Sequence, residues 1–395
     1  MKVGYAQTVI TPSLEKPVYL AGFGQNRRAE SIHDDLFARA LAISTPGQTT
    51  LVLCAVDLIG LFASDIKKIV RLVNQLDLHI IIAATHTHHG PDTAGLWGPD
   101  DKTRGVDEAY MTELRQKVVD TMLGAVADLK PAYSLKSGSV FVRGVAKNAR
   151  NPEILDEELT VLQFLDESGG PLASVFNFPC HPEVLWEHNP HITSDYPGYL
   201  RARVEEQTGA PCIFFSGALG GMMTPDVAEH SFAECEEMGI ALAHAGLETL
   251  ELAEATPSET ISIQKAEFKA KLTNPLYKLA FWRKLLPDAR DKKGNITSEV
   301  NLVKIGGVWL ATVPGELLPK LGLEIKARLT AAGASVAGII GLANDELGYI
   351  LPAEDFKYPW NPFNPGKHYE ETNSIGKEIG PKVMDEVKRL LTFDA

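Results

Sequence analysis

The sequence predicts an α/β protein, with mixed sheets flanked by helices and functional loops at strand ends. Three observations predict it. Short apolar, strand-like runs alternate with helix-period stretches along the whole chain. Several of those runs break directly into polar loops bearing histidine, glycine or a carboxylate, the usual place for a site in α/β folds. The length of 395 residues, 45% of them hydrophobic, is enough to bury one large core. No repeat, low-complexity tract or linker divides the chain, so residues 1–395 are expected to form a single domain.

Taken in order, residues 1–24 read as a short strand and a Pro/Gly-rich loop ending Ala21-Gly22-Phe23-Gly24. Strands follow near Leu36–Ile43 and Thr50–Val56, the latter ending at Asp57. Ser64–Leu76 has helical period, with Ile66, Ile69, Val70 and Val73 on one face. The apolar run His79–Ala84 is a buried strand, and Asp107–Leu129 a long helix. Strands are expected near Tyr133–Val142, Leu159–Leu165, Ala173–Phe178, Pro211–Phe215, Thr260–Ala270, Glu299–Ile305, Val308–Val313 and Val336–Leu342. Helices are expected over Gly198–Thr208, Glu229–Leu252, Leu317–Ala332 and 376–392. Leu276–Leu286 is aromatic and basic. It reads as a core-packed amphipathic helix or as a lid over an apolar substrate. Residues 351–373 form a Pro/Trp/Tyr/Asn-rich loop.

Composition excludes several classes. A net charge of −13 argues against nucleic acid and against anionic membrane surfaces. No run of about 18 apolar residues is present, so no transmembrane segment is expected. The N-terminus shows no signal-peptide h-region. Cys54, Cys180, Cys212 and Cys235 are scattered without a CxxC pair and read as reduced core thiols, which points to a cytoplasmic protein. A homo-oligomer stays open.

The most informative segment is Thr85-His86-Thr87-His88-His89-Gly90-Pro91, which holds three of the eleven histidines. Residues two apart on a strand point to one side, so His86 and His88 are expected to project together from the strand end into a cleft, and imidazole is the commonest metal ligand. The bland alternative is a strand-to-loop turn with His89 merely solvated. Four more loops follow strand-like runs. They are Asn177–Pro182 with His181, the glycine-rich Phe214–Pro225 with Thr224, Val313-Pro314-Gly315-Glu316, and Leu342–Tyr349 followed by His368-Tyr369-Glu370. Each has an ordinary structural explanation alone. Together they place two histidines, a carboxylate and tyrosines at the ends of separate strands, and two histidines plus a carboxylate with an open position is a catalytic zinc pattern. HExxH, a P-loop and a dinucleotide fingerprint are absent.

These elements, in this order, resemble the catalytic domain of the neutral/alkaline, non-lysosomal ceramidase family. Gly4–Pro12 and Ile32–Ala40 resemble its opening blocks, and Thr85-His86-Thr87-His88 its histidine block. His181-Pro182, Ser194–Tyr199, Pro314-Gly315-Glu316, Asn344–Tyr349 and Tyr369-Glu370 resemble later elements. The resemblance implies one zinc ion per chain, held by His86, His181, Glu316 and Tyr349. It implies His88 beside the metal water, and Arg150 and Tyr369 as oxyanion donors. The implied chemistry is attack of zinc-bound water on the amide of a ceramide-like, lipid-like or smaller N-acyl substrate, as in sphingolipid metabolism.

The resemblance has departures. Thr224, in Gly221-Met222-Met223-Thr224-Pro225, stands where the family has an active-site serine, and an aspartate is missing from that loop. An extra C-terminal β domain and a secretion signal are not expected. Two competing readings remain: a binuclear metallohydrolase using His86, His88, Asp57 and Asp195, and a non-catalytic binding protein of the same fold.

Overall fold

The computed structural model describes all residues except 75–76, 258–259, 288, 357–367 and 393–395. Three sheets carry the chain, and each ends in a parallel pair of strands. The first runs Leu78–Ala84, Thr50–Val56, Phe37–Ser44, Lys2–Val9, Lys130–Pro131. The second runs Cys212–Ser216, Pro171–Phe178, Glu158–Leu165, Ser134–Phe141, Thr256–Pro257. The third runs Ile261–Lys271, Asn295–Ile305, Val308–Thr312, Val336–Ile340. In every sheet the parallel pair is closed by one crossover helix: Ala63–Val73, Tyr196–Thr208 or Pro319–Ala331. A parallel connection needs such a crossover, so three β–α–β units recur in a chain without a sequence repeat.

The strands of the parallel pairs are largely buried on both faces because both are covered. One core joins the three sheets directly, through Leu41, Leu53 and Ile81 of the first, Phe164, Val175 and Phe215 of the second, and Val303, Leu310 and Ile340 of the third. The outer faces take helices. Met111, Leu114, Val118 and Met122 of Glu108–Ala127 pack in one further cluster. Ile325 and Leu329, with Val383 and Val387 of Ile379–Thr392, pack in another.

The C-terminal ends of the three parallel pairs are stitched together. Gly341 N–H donates to Ser216 O at 2.9 Å, and Asn344 N–H to Ile82 O at 2.8 Å. The Ser216 hydroxyl donates to Thr85 O at 2.7 Å. Buried Asn177 donates to both Phe215 O and Ile339 O. Loops leaving different sheets therefore open onto one place.

The structure alters several expectations. Val70 is 43% exposed, so the buried stripe of its helix is the narrower Ile66, Ile69, Val73. The segment Leu276–Leu286 is helical only over Pro275–Trp282; it buries Phe281 and leaves Trp282 in solvent. The short parallel pair of Glu316–Leu317 with Tyr349–Ile350 carries no signal in the sequence. Much of the loop expected over 351–373 lies outside the described residues, and Tyr369–Thr372 is one helical turn.

Candidate metal centre

The strand Leu78–Ala84 stops two residues before the first histidine. Thr85 N–H donates to Val56 O and His86 N–H to Leu58 O, both at 2.9 Å. His86 then takes φ +69°, a left-handed conformation uncommon outside glycine and enriched at functional sites. Strand alternation therefore does not bring His86 and His88 together; the turn does. His86 Nδ1 lies 2.5 Å from Ile59 O. A carbonyl can only accept, so Nδ1 carries the proton and Nε2 presents its lone pair. His181 follows the strand Pro171–Phe178 and is set the same way, with Nδ1 2.8 Å from Met223 O. His88 N–H donates to Pro182 O at 3.1 Å, tying the two histidine loops together. The three imidazole centroids are 5.0, 5.1 and 5.4 Å apart.

Glu316 arrives from the third sheet. Gly315 before it has φ +149°, and a Cβ there would fall 2.5 Å from Gly348 O, so the approach requires glycine. Glu316 N–H donates to Gly348 O, and its strand pairs in register with Tyr349. Glu316 Oε2 lies 3.1 Å from His181 Nε2 and 3.6 Å from His86 Nε2. The Tyr349 hydroxyl donates to Met222 Sδ at 3.5 Å and also faces Glu316.

Burial opposes every charge here, and the charges resolve it among themselves. Burial would raise the Glu316 carboxyl, but His86 and His181 outweigh it and hold the group well below the usual carboxylate range. Burial would lower His181, but Glu183 and Glu316 outweigh it and raise the imidazole to about 9. Burial dominates at His88, which is lowered to about 4. Burial and then Glu316 push the Tyr349 phenol well up.

This donor set fits a divalent cation. His86, His88 and His181 each offer a nitrogen within 4.8 Å of the others, and imidazole with carboxylate suits zinc and related ions. Neither nitrogen of His88 and neither oxygen of Glu183 has an aligned hydrogen bond, though all four atoms are sealed from water.

No protein-family profile matches the sequence. Neutral ceramidase of Pseudomonas aeruginosa is 25% identical over 224 residues, spanning 51% of this chain and 33% of that protein. A crystal structure of neutral ceramidase from Pseudomonas aeruginosa superposes with a TM-score of 0.79 at 18% identity, over 99% of this chain and 73% of that one. A structure of ceramidase complexed with C2 gives 0.78 at 18% identity, over 99% and 74%. The chain is a homologue of neutral ceramidase. It spans about a third of the length of that curated relative, and the fold likeness extends over nearly all of it.

In this ceramidase homologue, the sequence-derived residues fall into three groups. His86, His88, His181, Glu316 and Tyr349 converge as described. Tyr369 lines the same cavity, its ring 5.8 Å from that of Tyr349. Thr224 and Arg150 stand apart from it. Thr224, in a short strand pairing with Ala146–Asn148, faces Glu183. Arg150 lies in an adjoining cavity, its guanidinium bonded to Glu370 and to both oxygens of Glu371. It braces the turn that carries Tyr369.

The carboxylates of the binuclear reading are engaged elsewhere. Asp57 takes both ends of the Arg201 guanidinium at 2.7 and 2.8 Å, and Asp195 caps the helix Tyr196–Thr208 beside His89. His89 is fully buried rather than solvated.

Sequence reasoning missed Glu183 and Glu346. Glu183 is fully buried and Glu346 half-buried, and both line a cavity of about 380 Å³ over the histidines. The signal for Glu183 was its place two residues after His181. The other walls are Phe23, Ile59, Phe62, Leu96, Trp97 and Trp186, with Tyr277 and Leu286 from the segment read as a core helix or a lid. That segment does both, burying Phe281 and walling the cavity.

Proposed function

We propose that the chain is a zinc-dependent hydrolase that cleaves the amide of an N-acyl, ceramide-like substrate. The observation that carries this reading is the meeting of His86, His181 and Glu316, from three sheets, under a cavity walled by apolar and aromatic side chains. His86, His181, Glu316 and Tyr349 would hold the ion. When bound, zinc would lower the pKa of its water and polarise the carbonyl.

The chain's own residues have distinct tasks in this reading. Phe23, Trp97, Trp186 and Leu96 bind the acyl chain and exclude water, placing the amide over the histidines. The Tyr369 hydroxyl reaches the cavity from a turn locked by Arg150 and donates to the developing oxyanion. Arg150 acts through that turn. His88 stands beside the ion with one imidazole nitrogen facing the centre. The Thr224 hydroxyl polarises Glu183 from behind. Addition of water and loss of the amine yield a carboxylic acid and an amine.

Four buried, unpaired cysteines support a reducing, cytoplasmic setting. No helix among the described residues is long and apolar enough to cross a membrane.

The test is metal analysis of the purified protein together with hydrolysis of N-acyl amides of increasing chain length, ceramide included. About one zinc per chain and amide cleavage abolished by chelation and by Glu316→Ala are expected. Two metals per chain would favour a binuclear enzyme. Full activity without metal would refute the reading.

A further inference from the structure

The three imidazoles of the centre share one device. His86 and His181 each give Nδ1–H to a backbone carbonyl, of Ile59 and Met223, and so present Nε2 inward. Behind His88 no backbone carbonyl plays that part. The atom there is Glu183 Oε2, 3.0 Å from Nδ1. The pair is within reach without an aligned hydrogen bond, and all four of its polar atoms are buried and unmatched. Buried polar atoms are almost always paired, so this arrangement points to a group that would draw the ring into line. His88 has little freedom to turn elsewhere. Gly22, at φ +101°, lies so close that a Cβ there would fall 2.3 Å from His88 Cγ, and Phe23 packs edge-on at 4.9 Å.

An outer acceptor on the far nitrogen is how metal-bound histidines are held, and it fixes both tautomer and ring orientation. We propose that Glu183 is a positioning residue of the metal centre, holding His88 Nδ1–H so that Nε2 completes a set of three imidazole donors with His86 and His181. This rests on the metal-site reading above and adds to it. His88 becomes a ligand, and a carboxylate in the His181-Pro182-Glu183 turn becomes the reason it is one. Because Glu183 follows His181 by two residues, a single turn presents one ligand and orients another.

The experiment loads the full-length metal-free protein with Co²⁺, read by visible absorption, and measures metal affinity by chelator competition. Wild type, Glu183→Ala, Glu183→Gln and His88→Ala are compared, with circular dichroism as a check on folding. Glu183→Ala is expected to weaken affinity 10- to 100-fold and to shift the Co²⁺ spectrum toward that of His88→Ala. Glu183→Gln should restore most of the affinity, because an amide oxygen accepts from Nδ1 as the carbonyls of Ile59 and Met223 do. If Glu183→Gln binds as weakly as Glu183→Ala, the charge itself is needed and the positioning role is overturned. An unchanged spectrum in His88→Ala overturns the ligand assignment, even if Glu183→Ala does not fold. Failure of the wild type to bind any metal would instead sink the metal-site reading.

Discussion

Stripping the metal should make stability depend on pH through His181. Its Nε2 stands 3.1 Å from Glu316 Oε2, with Glu183 also close. Burial opposes the charge, the two carboxylates more than offset that, and the imidazole is raised from 6.5 to about 9. A group that binds its proton more tightly when folded stabilises the fold fully below its unfolded pKa. That stabilisation is lost as pH climbs through the folded value. For 6.5 and 9 the full contribution is about 3 kcal/mol, of which about 2 kcal/mol should disappear between pH 7 and 8.5.

The assay is urea denaturation of chelator-treated protein across that range. The buried cysteine thiols, also raised, push in the same direction toward pH 9, so the comparison is with Glu316→Gln, which keeps them. That variant keeps an oxygen that can accept from His181 but removes one of the two negative charges facing it, and the slope should become shallower. With metal bound the slope should reverse, because the ion competes with the proton and binds more tightly as pH rises. Equal slopes in the two metal-free proteins would refute the reasoning.

Three further outcomes are expected. Gly22→Ala, which puts a methyl group into the His88 ring at a left-handed φ, should weaken metal binding while leaving the fold intact, checked by metal titration and circular dichroism. Asp57→Ala should cost about 3–5 kcal/mol in denaturant titration, because it strands the fully buried Arg201. Each methylene added to the acyl chain of a substrate should raise kcat/KM about fourfold, from about 0.8 kcal/mol per buried CH₂, until the apolar wall ends. Trp186→Ala should flatten that series in steady-state kinetics.

Local pattern made the strands legible. Thr50–Val56 and Leu78–Ala84 are short β-rich runs between turn signals, and both lie within a residue or so of where the sequence places them. Their assembly was not legible, because the stitching of Ser216, Asn344 and Ile82 joins residues more than a hundred apart. Val70 shows the limit of periodicity, which sets the direction of a helix face but not its width. Among the site residues, histidine after a strand is a rare pattern and was readable. Glu183 was not, since a carboxylate in a turn looks the same whether it meets water or, as here, His88. Asp57 and Asp195 misled for the same reason, their partners being Arg201 and the backbone amides of Val184 and Tyr196.

Those partners also account for the charge of the cavity. Three buried or half-buried arginines of this part of the fold are committed elsewhere: Arg201 to Asp57, Arg150 to Glu370 and Glu371, and Arg27 to the carbonyls of Ala21, His88 and Glu187. Among the described residues no lysine or arginine lines the cavity, while Glu183, Glu316 and Glu346 do. Burial and Glu316 hold the Glu346 carboxyl well up, which leaves the charges of Glu183 and Glu316 to be matched. A resident guanidinium would match them permanently and close the site. With the arginines bound elsewhere, the proton on His181 is the positive charge the chain itself supplies, and it is one that a divalent cation can displace.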